Sequence, residues 1–198
     1  MKPWLAAALM VPLALINPPS SSAQWVPNGT SVSTVPFSQV RPALVDDGAG
    51  GAIVIWDDYR SGSPDIYAQR IDASGAVQWT AQGVSLSAAA NTQWVATVAS
   101  DGAGGAIATW RDKRSGTDDI YAQRIDASGA VLWTADGVAI CTAGANQFNP
   151  EIISDGAGGA IVTWYDSRSG GTDIYAHRID ASGAVQWTAD GVALCTAA

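Results

Sequence analysis

The residues best equipped for chemistry come in three matching sets: Asp58, Arg60 and Asp65; Asp112, Arg114 and Asp119; Asp166, Arg168 and Asp173. Paired carboxylates can do general acid–base work or attack a glycosidic bond, and an arginine beside them can fix a carboxylate or an anionic substrate. Their spacing points to a different role. Each set recurs after 54 residues. A catalytic centre is one asymmetric constellation, whereas these groups occur once per repeat. The pattern predicts Asp–Arg pairs that brace a hairpin.

Other reactive residue types are sparse. Asp47-Gly48, Asp101-Gly102 and Asp155-Gly156 could begin a calcium loop, but Ala and Gly fill the positions where such a loop needs further oxygen ligands. A turn-forming role is expected instead. His177, the only histidine, takes the place of Gln69 and Gln123 in the other repeats. It has no nucleophile beside it for a triad and no companions for zinc, and it reads as a tolerated surface substitution. Cys141 and Cys195 are also 54 apart, at the position of Ser33 and Ser87. Equivalent outer strands of successive repeats diverge, while a disulfide needs Cα atoms within about 7 Å. Two free thiols are expected. No catalytic residue, metal or cofactor is expected.

Binding residues should lie where the repeats differ. The same glutamine precedes the first strand of each unit, followed by a residue that varies: Gln39 with Val40, Gln93 with Trp94, Gln147 with Phe148. An amide beside an aromatic ring suits carbohydrate or peptide. Gln39, Gln93, Trp94, Gln147 and Phe148 are the candidate ligand-binding residues. Trp94 and Phe148 have a second reading as core between repeats.

These residues are carried by the repeat. DGAGGA begins at Asp47, Asp101 and Asp155, and RIDASGAV at Arg70, Arg124 and Arg178, each time at a spacing of 54. Self-similarity of this kind signals a repeat architecture. Within the third unit, 148–154, 160–165, 173–180 and 184–196 read as four strands, the last kinked at Asp190-Gly191. Gly-rich turns separate them. The second strand is apolar on both faces, with Ile161 and Thr163 on one and Ala160, Val162 and Trp164 on the other. Such a strand belongs in a sheet covered on both sides. No stretch keeps a helical period. Four antiparallel strands per unit make one blade of an all-β propeller. The blades are expected at 37–88, 91–142 and 145–198. Trp25 and Gly29 match Trp79 and Gly83 of the next unit, so 24–36 reads as an orphan outer strand. Three blades do not close a ring comfortably. The arc is expected to be part of a larger propeller, or to self-associate through its open faces.

The net charge of −8 and pI near 4.3 leave no basic stripe for nucleic acid. Residues 1–23 combine Lys2, an apolar run and small residues at Ser21 and Ala23. They read as a secretory leader too short to span a membrane. A secreted or periplasmic chain, with no membrane insertion once the leader is removed, is expected.

The string W-x-D-x-R-x-G-x-x-D-I-Y-A-H-R at 164–178 resembles repeats of secreted bacterial β-propeller proteins. IDASGAVQW at 179–187 is similar, more loosely, to the tryptophan docking motif of quinoprotein-type propellers. The resemblance implies a propeller and leaves the ligand open. A non-catalytic binding or scaffold module for an extracellular carbohydrate or protein is expected. The rival reading is a fragment of a glycosidase-like or quinoprotein-like enzyme, for which only Glu151 and His177 break the repeat.

Overall fold

A computed structural model describes residues 28–196. Among them there is no helix, and twelve strands form three four-stranded antiparallel sheets. The first blade holds β1 (Gln39–Asp46), β2 (Ala52–Asp58), β3 (Asp65–Ile71) and β4 (Val84–Ser87). The second holds β5 (Gln93–Ser100), β6 (Ala106–Asp112), β7 (Asp119–Ile125) and β8 (Val138–Cys141). The third holds β9 (Gln147–Ser154), β10 (Ala160–Asp166), β11 (Asp173–Ile179) and β12 (Val192–Cys195). Each sheet is a simple meander. The first strands lie nearest one another, β1 by β5 and β5 by β9. The result is an open, propeller-like arc of blades.

The turn after each first strand is built by its aspartate. Asp155 Oδ1 accepts the N–H groups of Ala157 and Gly159 at 2.8 and 2.9 Å, and Oδ2 receives Arg178 Nη2 at 2.7 Å. Asp47 and Asp101 do the same in their blades. The glycine closing this turn has no alternative. A Cβ at Gly51, Gly105 or Gly159 would lie 2.1, 2.4 or 2.3 Å from the carbonyl oxygen at the end of the third strand.

The core lies between blades. Ile53, Ile55 and Ile66 pack with Ala106, Ala108 and Trp110 of the next blade. Ile107 and Ile120 pack with Ala160, Val162 and Trp164. A repeated lock reinforces this. Trp79 Nε1 and Arg70 Nη1 donate to the carbonyl of Ala127 at 3.2 and 3.1 Å. Trp133 Nε1 and Arg124 Nη1 donate to that of Ala181 at 3.2 and 3.0 Å. Each indole also lies on a glycine of the next blade, Gly129 or Gly183, where a Cβ would sit 2.8 or 2.9 Å from the ring. Covering one large aromatic in this way contributes several kcal/mol as an upper estimate.

Two features differ from the sequence reading. The fourth strand expected at 184–196 is only Val192–Cys195, preceded by a single bridge from Ile179 to Val185. Asp190 and Gly191 both take positive φ, at 58° and 87°, which turns the chain out of the ladder. The described part of 24–36 forms no regular strand. Its end bonds instead to the side chain of Gln82. Trp25 and the leader lie outside the described residues.

Candidate functional site

The Asp–Arg pairs have brace geometry. Arg60, Arg114 and Arg168 each donate Nε to Oδ1 at 2.9 Å and Nη2 to Oδ2 at 2.6 Å of Asp58, Asp112 and Asp166. The same carboxylates receive the indole N–H of Trp56, Trp110 and Trp164. Each guanidinium lies 3.8 to 4.0 Å from the ring of Tyr67, Tyr121 or Tyr175. Burial acts upward on the Asp58 and Asp166 carboxyls, but the arginine and indole bonds hold both below the ordinary carboxylate value. The second acid of each set stands apart from this pair. Asp119 and Asp173 accept Ser115 and Ser169 hydroxyls at 2.7 and 2.6 Å. Burial pushes Asp65 and Asp119 up.

His177 is buried, which corrects the reading of a surface substitution. In the other blades its position holds a glutamine that ties the third strand to the chain beyond it: Gln123 Oε1 accepts Trp133 N–H at 3.0 Å, and its Nε2 donates to Thr134 O at 2.8 Å. In place of those ties, His177 Nδ1 accepts the N–H of the adjacent Arg178 at 3.1 Å, as Gln123 Oε1 also does from Arg124, and the ring stacks on Trp187. Burial lowers its pKa. Both cysteines are free, Cys141 buried and Cys195 exposed.

The candidate ligand residues divide. Gln93 and Gln147 are fully buried, and their amides donate to the loop just before them, at Ala90 O and Ala143 O. Their N–H groups donate to Pro64 O and Asp118 O of the preceding blade at 2.9 and 2.7 Å. They position the loops rather than face solvent. Gln39 braces its own loop through Phe37 O. Trp94 and Phe148 are half-buried and belong to neither core cluster. Each pairs with a residue of the adjacent second strand. Arg111 lies 4.9 Å from the Trp94 ring, and Tyr165 meets Phe148 edge-on at 5.7 Å.

That adjacent column, Asp57, Arg111 and Tyr165, was missed in the sequence. Its signal is a break in an otherwise repeated motif: Trp-Asp-Asp, Trp-Arg-Asp, Trp-Tyr-Asp. In the first blade Asp57 Oδ2 accepts Arg41 Nη1 at 2.5 Å and Val95 N–H, from the next blade, at 3.4 Å. Burial raises the Asp57 pKa, opposed by the Arg41 bond. In the second blade Arg111 pairs with Asp118.

The three inner strands also share a bulge, between Val40 and Ala43, Trp94 and Thr97, and opposite Thr163 and Tyr165 in the third. At its centre Arg41, Val95 and Asn149 take φ of 51°, 55° and 51°. Such a φ is costly for β-branched Val95 and mild for Asn149. The bulges of β5 and β9 open a cleft of about 520 Å³ between blades, lined among others by Val95, Asn149, Pro150, Glu151 and Tyr165. That volume lies in the range of small-ligand sites. The cleft combines an amide, a carboxylate and a phenol with apolar walls. Comparison with known proteins adds no family to this description: no family model matches the chain, and no curated protein matches it significantly.

Proposed function

We propose that the chain is a secreted, non-catalytic β-propeller binding module whose cleft between the second and third blades takes a carbohydrate. One observation carries this reading. The cleft opens at columns where the repeats stop matching, at Val95 and Asn149, which stand where Arg41 does, and at Tyr165, which stands where Asp57 and Arg111 do. Residues that recur build the blade, so residues that depart from the repeat are free to meet a ligand. Carbohydrate fits because hydroxyls need amide and carboxylate partners such as Asn149 and Glu151, while sugar C–H faces rest on rings such as Tyr165. Among the described residues Glu151 is the one carboxylate lining the cleft, whereas most glycoside hydrolases use a pair. Binding is favoured over hydrolysis for that reason. The leader-like 1–23 supports export.

The test is immobilised protein on glycan and peptide arrays, as wild type and as Asn149→Ala/Tyr165→Ala. A defined set of glycans bound by wild type and lost in the variant, at unchanged melting temperature, is the expected result. Binding to peptides alone would place a protein segment in the cleft. Glycan binding unaffected by the variant would refute the site.

A further inference from the structure

The first blade has no blade before it among the described residues, yet Trp56 is as buried as its equivalents: 2% exposed, against 0% for Trp110 and 1% for Trp164. Gly83 covers part of the ring from within the blade, as Gly137 and Gly191 do elsewhere. Val32 and Ser33 line a small cavity with Val40, Val54 and Trp56. Thr34 fixes the segment. Its N–H donates to Gln82 Oε1 at 2.6 Å, and Gln82 Nε2 donates back to Thr34 Oγ1 at 3.1 Å.

The same seat on the other blades is taken by the end of the preceding blade. Ala88 N–H donates to Asp136 Oδ1, and Thr142 N–H to Asp190 Oδ1, each at 2.9 Å. Thr34, Ala88 and Thr142 are one repeat apart, as are Gln82, Asp136 and Asp190. Residues 32–34 therefore occupy on blade 1 the position that a neighbouring blade's last strand would take.

Among the described residues nothing covers the complementary face, on blade 3. Trp187 is 39% exposed, whereas Trp79 and Trp133 are 9%. Leu194 is 60% exposed, whereas Leu86 and Ile140 are 1% and 2%. In the two interfaces within the chain these groups are covered by the next blade, with the indole on a glycine and bonded to a carbonyl two residues before it. The matching groups on blade 1 are Ala73 and Gly75. Blade 3 of one copy thus carries the half-interface that blade 1 of another copy would complete, except that residues 32–34 fill part of the seat.

We propose that residues 32–34 are a built-in cap, and that with the cap displaced the chain associates head to tail with a second copy, Trp187 of one docking on Gly75 of the other. The interface is the one repeated twice inside the chain, so no new complementarity is required. It is heterologous, and it produces either a closed ring or an open polymer.

The test is sedimentation of the chain from Gln24 onward, beside Val32→Asp/Thr34→Pro, which removes the apolar contact and the N–H donor. The parent is expected at single-chain mass and the variant at twice that mass or more. Trp187→Ala in the variant background is expected to restore single-chain mass. A variant with the parent's melting profile that stays at single-chain mass overturns the proposal. So does a larger species that survives Trp187→Ala, or a parent that already associates through Trp187. If the double variant does not fold, Gln82→Ala removes the acceptor for Thr34 N–H and the donor to Thr34 Oγ1 while leaving residues 32–34 unchanged. It should then show a rise in mass with concentration, reversed by Trp187→Ala, and a constant single-chain mass would overturn the proposal.

Discussion

Truncating Arg114 to alanine should unfold the protein at a markedly lower temperature without touching the proposed glycan binding. The arginine makes two bonds to Asp112, a third to Asp136 O at 2.7 Å, and a cation–π contact 3.9 Å from the Tyr121 ring centroid. Asp112 is fully buried. After truncation its carboxylate keeps only Trp110 Nε1 and the backbone N–H of residue 114, both at 2.9 Å. Removing one partner of a buried ion pair costs about 3–5 kcal/mol. Arg114 retains 23% of its side-chain exposure, so water screens part of the pair and the low end, about 3 kcal/mol, is the better figure. The lost cation–π contact adds roughly 0.5–1 kcal/mol. For a domain of this length each kcal/mol moves Tm by roughly 2–4 °C, so a drop of about 7–16 °C is expected. Differential scanning calorimetry reads it, and Arg60→Ala and Arg168→Ala should fall in the same range because their geometry is the same. A drop under about 2 °C, or lost glycan binding at unchanged Tm, would refute the assignment of these pairs to structure.

Gly129→Ala should cost about 2–4 kcal/mol, because φ is +89° and the new methyl meets the Trp79 ring. Gly116→Ala, with φ of +102° and open space around it, should lose only the backbone part, and equal losses in chemical denaturation would count against the indole lock. Thiol titration should find one reactive cysteine in the native protein and two after unfolding. Cys195 is exposed, whereas burial pushes the Cys141 thiol up to about 12; two slow or two fast thiols would contradict this. Asp58 and Asp166 have carboxyls depressed in the folded state, so their contribution is present above the unfolded value, about 4, and is lost as pH falls through the folded one. Buried Asp57, Asp65 and Asp119, raised in the folded state, work in the opposite sense, so the specific prediction is that Asp166→Asn flattens the acid limb of Tm against pH. An unchanged slope would show that the pair does not govern it.

The blade was legible because its determinants are local. Asp155 with Gly159 dictates a turn, and Ile161 to Trp164, apolar on both faces, dictate a strand between two layers. The Asp–Arg pairs were legible for a different reason: repetition argued against chemistry before any distance was known. The kink at Asp190-Gly191 was legible from the Asp-Gly pair, but the fourth strand was overextended because the segment ahead of the kink joins the ladder only through the single bridge at Val185. The burial of His177 was missed because a histidine replacing glutamine looks polar, while the bond from Arg178 N–H and the stack on Trp187 exist only once the strands are paired. The cleft was half legible. Trp94 and Phe148 stood out as a varying column, but the partners that hold them, Arg111 and Tyr165, lie across the ladder and come into register only through the bulge. Gln93 and Gln147 were drawn toward the ligand by standing beside the varying aromatics, whereas their amides close the loops that lead into those strands.

The proposed site assigns recurring residues to the blades and varying residues to the carbohydrate. Backbone amide shift mapping by NMR, with the strongest array glycan titrated into labelled protein, tests it most directly. Shifts confined to the cleft are expected, at Val95, Ala96, Asn149, Glu151 and Tyr165, with the turns at Asp72, Asp126 and Asp180 unmoved. Shifts centred on those recurring turns, or distributed equally over the three blades, would contradict it.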